Sequence, residues 1–173
     1  LYDRLKYVLI VDDCSVDKSL QLLNSIKYKF SLKIFTNKKN QGQSFSIHKG
    51  INKAKFNTII TIDGDGQNDP IDIPKLVKVF NLDKNIYLVG GLRKKRKDKI
   101  IKIVSSKLAN FIRSRILNDN CSDTGCSLKI FDKTIFLKFP YFDGMHRFLP
   151  ALFKGFGYNT KFVEEGNKDT FKH

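Results

Sequence analysis

The chain has 173 residues, 41% of them hydrophobic, with 15 Phe and six Tyr, enough apolar material for one domain to bury a core. Its 32 Lys and Arg against 17 Asp and Glu leave a net charge of +15 and a pI near 9.7. This composition excludes a disordered chain and a transmembrane span, and residues 1–15 carry charges where a secretory signal needs an apolar stretch.

Short, β-branched apolar runs recur at residues 7–11, 32–36, 58–62 and 86–90. Continuous runs of this kind predict strands buried on both faces, and therefore a parallel sheet. Helical periodicity fills the intervals. Leu20, Leu23 and Ile26 follow a capping Ser15 or Asp17; Phe45, Ile47, Ile51 and Ala54 follow the second run. Pro74 opens a third helix as a first-turn proline. A βα repeat with right-handed crossovers predicts an α/β fold built on a doubly wound, mostly parallel open sheet. Beyond Gly91, residues 98–117 read as one basic amphipathic helix. Its stripe is Ile100, Ile103, Val104, Leu108, Phe111 and Ile112, with Lys99, Lys102, Lys107 and Arg113 off it, which suits packing on the sheet or an anionic membrane surface. Residues 126–131 read as a further strand, 134–137 as the start of a short helix and 148–153 as another helix. From Asn159 the pattern is lost, so a domain over 1–158 and a divergent tail over 159–173 are expected.

Three cysteines (Cys14, Cys121 and Cys126) lie in no metal-ligand spacing, which suits free thiols in a reducing compartment. The chain begins at Leu1 and its single methionine is Met145, so it reads as a piece of a longer protein or as cut at its N-terminus. The basic residues fall in clusters, at Lys38 and Lys39, from Arg93 to Lys102, and at Lys107, Arg113 and Arg115. They lack the aromatic interleaving of a single-strand binder, so nucleic acid is supported by charge alone. Phosphorylated small molecules or an anionic membrane suit them as well.

In an open parallel sheet, ligands bind beyond the carboxyl ends of the strands. The first strand ends in Asp12-Asp13, the third in Asp63-Gly64-Asp65-Gly66-Gln67 and the fourth in Gly90-Gly91-Leu92-Arg93. Asp63 and Asp65, one residue apart on a tight turn, can offer oxygens to one hard cation such as Mg²⁺ or Mn²⁺, and Gln67 adds an amide oxygen. Acidic groups beside glycines that admit a close ligand suit a nucleotide whose diphosphate is held through such a cation.

Six segments in order carry a family resemblance. Val11-Asp12-Asp13-Cys14-Ser15-Val16-Asp17 resembles the VDDGSxD turn of family 2 glycosyltransferases, which use nucleotide sugars on the GT-A fold. Asn40-Gln41-Gly42-Gln43-Ser44 is similar to that family's N-x-G-x-S/A loop. Residues 61–70 resemble the metal motif of the branch that glycosylates polyprenyl phosphates, of which dolichyl-phosphate mannosyltransferase is best known. Residues 91–98 match its G-x-R-x-x-R-x-D segment, and Asp123-Thr124-Gly125-Cys126-Ser127-Leu128-Lys129 and residues 142–150 resemble two later signatures. The resemblance covers residues 7–158. Two departures stand against it: nothing matching the P-x-Y/F-N-E turn precedes Leu1, and residues 162–169 replace the basic H-R-x-R and S-K-Y segment.

The resemblance implies a role for each matched position. Asp12 and Asp13 would contact base and ribose, with Gln43, Asp63 and Gly64 also on the nucleotide; Asp13 could equally cap the following helix. Asp63, Asp65 and Gln67 would hold the Mg²⁺ or Mn²⁺. Arg93 and Arg96 would bind phosphate, and Asp123 would act as general base or orient the acceptor. His146 and Arg147 could line the acceptor side, although a His beside Phe148 and Leu149 also suits a packed structural role. The implied function is inverting transfer of a sugar from a GDP- or UDP-sugar to a polyprenyl phosphate (undecaprenyl or dolichyl), by a peripheral protein at the cytoplasmic membrane face. The rival expectation is a truncated, non-catalytic remnant that binds sugar nucleotide or a partner.

Overall fold

The computed structural model describes residues 7–26, 31–92 and 126–164. Arg93, Arg96, Asp123, Cys121 and the helix expected over 98–117 lie outside the described residues. The chain divides into two compact units, residues 1–57 with 140–146 and residues 58–139 with 147–173.

In the first unit, β1 (Val8–Asp12) and β2 (Leu32–Thr36) pair in parallel, Val8 opposite Leu32 and Asp12 opposite Thr36. A parallel pair needs a crossover, and α1 (Ser19–Ser25) lies in it. Asp17, one of the two expected caps, accepts the Ser19 N–H at 2.9 Å. Helix α2 (Gln43–Lys53) packs on β1. Gly50 permits that approach, because a Cβ there would stand 3.2 Å from Val11 Cγ2 and 3.3 Å from Leu9 Cδ2. The two strands are mostly half-buried, not enclosed on both faces as their apolar runs predict. The cause is visible in α1, which buries none of its side chains and leaves Leu22 and Ile26 exposed.

The second unit is built on four strands: β3 (Thr58–Thr61), β4 (Ile86–Leu92), β5 (Lys129–Asp132) and β6 (Asn159–Glu164), in the order β3-β5-β4-β6. Strands β4 and β6 are parallel, whereas β5 runs antiparallel between β3 and β4. The N-terminal end of β5 therefore lies beside the carboxyl ends of β3 and β4. Helix α3 (Ile73–Leu82) is entered through a 3₁₀ turn at Pro70–Asp72, where the Asp69 carboxylate accepts the Ile71 N–H, and Pro74 stands in its first turn as predicted.

The core of this unit sits on both faces of β4 and β5. On one face Val89 and Ile130 pack with Ile73, Leu76, Leu128 and Cys126. On the other, Leu88 pairs with Phe131, whose ring stacks with that of Phe136 and meets that of Phe153. Phe136 lies on α4 (Lys133–Phe136), capped by Asp132, and Phe153 on α5 (Leu149–Gly155). Removing a fully buried Phe of this kind costs about 3–5 kcal/mol.

Strand β6 corrects the expectation that pattern is lost from Asn159. Its sequence is mostly polar because it occupies the end of the strand order, where backbone pairing with one neighbour suffices. Its apolar side chain Phe162 lies over Gly90, where a Cβ would stand 3.0 Å from the ring.

Candidate functional site

The turn after β1 is organised by buried polar groups. Asn37, the residue after β2, donates its N–H to the Asp12 carbonyl at 2.8 Å, which locks the two strand ends together. Its side-chain amide donates to Asp13 Oδ1 at 2.7 Å and to Ser46 Oγ at 2.9 Å, and its Oδ1 accepts from Lys49 Nζ at 2.7 Å. Asp13 also accepts the N–H groups of Gln41 and Gly42, both at 2.8 Å. Burial pushes the Asp13 carboxyl up, but the hydrogen bonds from Asn37, Gln41, Gly42 and Ser46 outweigh it and hold the group below its ordinary 3.8. Asp13 thus clamps the loop that leads into α2.

Asp12 is buried, and its Oδ2 accepts the Ser15 N–H at 3.2 Å, closing the turn on itself. Between them in this turn stands Cys14, a half-buried free thiol with φ of 63°. That left-handed conformation is the one a glycine adopts without strain, and glycine is what the VDDGSxD pattern has there. Gln43 is exposed at the first position of α2.

His146 is half-buried and is held by α2. Ser44, fully buried on α2, accepts the Gly144 N–H at 2.8 Å and is hydrogen-bonded to His146 Nδ1, 2.6 Å away. With the His48 and Tyr141 rings 5.2 Å apart, these contacts fasten residues 140–146 to α2.

In the second unit, the segment expected to hold a metal forms the loop after β3. Asp63 is half-buried; Gly64, Asp65 and Gln67 are exposed. Asp65 Oδ1 accepts the Gln67 N–H at 2.9 Å, which shapes the tip. The base of the loop is held from the segment before β5. Thr61 Oγ1 donates to the Ser127 carbonyl at 3.0 Å, and the Asp63 N–H donates to Ser127 Oγ at 3.0 Å. Ser127 Oγ then donates to Asn68 Oδ1 at 2.7 Å, and Asn68 Nδ2 reaches Cys126 Sγ at 3.3 Å. Gly91 N, near the end of β4, donates to the Leu128 carbonyl at 2.9 Å. Segment 126–128 therefore bonds both the metal motif and the strand that leads to Arg93. Lys129, buried, turns its ammonium back onto the Cys126 carbonyl.

The donor set of this loop fits a hard divalent cation: two carboxylates and an amide oxygen, all oxygen, on five consecutive residues. Among the described residues no group of three or more His, Cys, Asp or Glu gathers in metal-holding range.

Sequence reasoning passed over Asn37, Ser127 and Asn68. Asn37 had a usable signal, since it directly follows a predicted strand, where the side chains of an open sheet's ligand end stand.

The sequence profile described as Glycosyl transferase family 2 matches residues 2–139. Dodecaprenyl-phosphate galacturonate synthase of Rhizobium johnstonii is 37% identical over 86% of this chain and 44% of its own length. Undecaprenyl-phosphate 4-deoxy-4-formamido-L-arabinose transferase of Pseudomonas fluorescens is 33% identical over 88% of this chain and 45% of its own. The chain thus spans about half the length of these curated relatives. Among solved structures, glucosyl-3-phosphoglycerate synthase from Mycobacterium tuberculosis, in complex with Mn²⁺, UDP-glucose and phosphoglyceric acid, superposes with a TM-score of 0.65. It is 14% identical and is matched over 92% of this chain and 60% of its own, a likeness of fold. With the profile matching most of its length and a 37%-identical relative across 86% of it, the chain belongs to glycosyl transferase family 2.

Proposed function

We propose that the protein transfers a sugar, with inversion, from a GDP- or UDP-sugar to a polyprenyl phosphate at the cytoplasmic membrane face, assisted by Mg²⁺ or Mn²⁺. The observation that carries this reading is the 37% identity, over 86% of the chain, to a protein named dodecaprenyl-phosphate galacturonate synthase. The Asp63–Asp65 loop supports it from the structure. When bound there, the cation would neutralise charge on the departing diphosphate.

The chain's own residues divide the remaining work. Asp63, Asp65 and Gln67 present the ligand oxygens. Asp12 is the carboxylate for the nucleotide base, with Gln43 and Gly64 along the donor. Asp13 keeps the Gln41–Gly42 backbone in place for that donor, since three hydrogen bonds already engage its carboxylate. Arg93 and Arg96, beyond the end of β4, supply guanidinium forks for phosphate oxygens. Asp123 orients the acceptor, whose phosphate is already anionic at neutral pH and needs little help from a base. The catalytic domain takes in residues 1–158, and β6 extends its sheet. No helix among the described residues is long and apolar enough to cross a membrane.

The test is a transfer assay on the protein with radiolabelled UDP- and GDP-sugars and undecaprenyl phosphate in anionic vesicles. Label should enter the lipid extract when Mn²⁺ or Mg²⁺ is present and stay in water with chelator. Asp65→Asn should abolish the transfer without moving the thermal midpoint, because Asp65 is exposed. Label that reaches lipid equally with chelator would remove the metal role. Donor binding without any lipid product would favour the non-catalytic reading.

A further inference from the structure

The six-residue loop that carries the metal motif is closed at its base by one hydroxyl. Ser127 Oγ accepts the N–H of Asp63, the first residue of the loop, and donates its only proton to Oδ1 of Asn68, the last. Each partner is fixed in turn. Ser127 stands just before β5, with its carbonyl taken by Thr61 Oγ1, and Asn68 is buried with its amide on Cys126 Sγ. Between these anchors Gly64, Asp65, Gly66 and Gln67 are exposed, and two glycines in four residues make that stretch loose by nature. A loop with such a tip holds two carboxylates at a fixed separation only if its ends are pinned.

We propose that Ser127 and Asn68 are positioning residues for the cation site. Ser127 sets the distance between the ends of the loop, and Asn68 orients the hydroxyl that does so. The inference rests on the reading of Asp63 and Asp65 as cation ligands, and it assigns the geometry of that pair to a residue more than sixty positions away in the chain. A backbone N–H can only donate, so Ser127 Oγ is the acceptor from Asp63; the hydroxyl donates to Asn68 Oδ1, and the Asn68 amide donates to the Cys126 thiol. Ser127→Ala therefore removes both ends of the bridge at once, while Ser127→Thr keeps the oxygen and the proton.

Two measurements on the full chain test this. The first is Mn²⁺ titration with UDP or GDP present, read by the loss of the free-ion electron paramagnetic resonance signal. Ser127→Ala should weaken binding by about tenfold, as expected when a group that orients a ligand is removed. Ser127→Thr should restore it, and the thermal midpoint should stay near wild type in both. The second is amide hydrogen exchange of Asp63, which should quicken about fivefold in Ser127→Ala and recover in Ser127→Thr. Unchanged exchange at Asp63 would overturn the bridge itself. Faster exchange with unaltered Mn²⁺ affinity would make the bridge merely structural and overturn the positioning role. Failure of the underlying reading looks different: wild type and Asp65→Asn would then take up Mn²⁺ equally, and the inference would fall with the cation site.

Discussion

Asp13→Asn tests whether the first turn is built around a charge. The substitution keeps shape and volume but places an amide NH₂ where one carboxylate oxygen now accepts. In the wild type Oδ1 takes Asn37 Nδ2 at 2.7 Å and Gln41 N at 2.8 Å, while Oδ2 takes Gly42 N at 2.8 Å. Whichever way the new amide turns, at least one of these donors faces another donor. A hydrogen bond to a charged group contributes about 1.5–3 kcal/mol when sheltered, and half-burial discounts that. Loss of one bond and weakening of the others gives about 2 kcal/mol. At this chain length that is a fall of about 4–8 °C in thermal midpoint. The pH dependence identifies the source. The folded carboxyl is held below its ordinary 3.8, so its contribution is complete above that value and lost as pH falls through the lower folded value. The gap between wild type and Asp13→Asn should hold steady at neutral pH and narrow below about pH 4. Parallel thermal or urea melts across that range decide it. A gap of equal size throughout would refute the charge argument, and no gap at neutral pH would refute the clamp.

Two further substitutions probe backbone strain and strand packing. Cys14→Gly should raise the thermal midpoint by about 1–4 °C, because a left-handed non-glycine residue costs about 1–2 kcal/mol and glycine's added unfolded entropy takes back part of it; a lower midpoint would show that the thiol's own contacts dominate. Gly90→Ala should destabilise by about 1–2 kcal/mol, since its Cβ would stand 3.0 Å from Cδ1 and Cε1 of Phe162, and Phe162→Leu in the same chain should recover most of the loss. Independent, additive effects in that double-mutant cycle would mean that the ring does not rest on Gly90.

Legibility in the sequence follows the range of the forces involved. Strands β1 to β4 were readable because a run such as Ile59-Ile60 or Leu88-Val89 is apolar on successive residues, a local signal wherever the partner lies, although only β4 is buried on both faces. The helix starts were readable from Pro74 and Asp17, which act within a few residues. Strand β6 was not. Its stability comes from backbone bonds to β4 and from the space left by Gly90, both set by residues some seventy positions earlier. The direction of β5 was also hidden, because a period of two is the same whichever way the strand runs.

The candidate site divides along the same line. Aspartates that offer oxygens to solvent or ligand advertise themselves, so Asp12, Asp13, Asp63 and Asp65 stood out as a set. The groups that hold them are ordinary serine and asparagine side chains whose importance lies in contacts across the fold. Ser127 reaches Asp63 over 64 positions and Asn68 over 59; Asn37 reaches Asp13 over 24. Nothing in the local spacing of a serine says that it will accept one end of a loop and donate to the other. The distinction also bears on the Asp12–Asp13 pair. Asp13 matches the family pattern as well as Asp12 does, yet three donors already occupy its carboxylate, whereas among the described residues Asp12 accepts the Ser15 N–H of its own turn. A motif shows which residues belong together. The hydrogen bonds each member has already made support the proposal that Asp12 meets the ligand and Asp13 holds the frame.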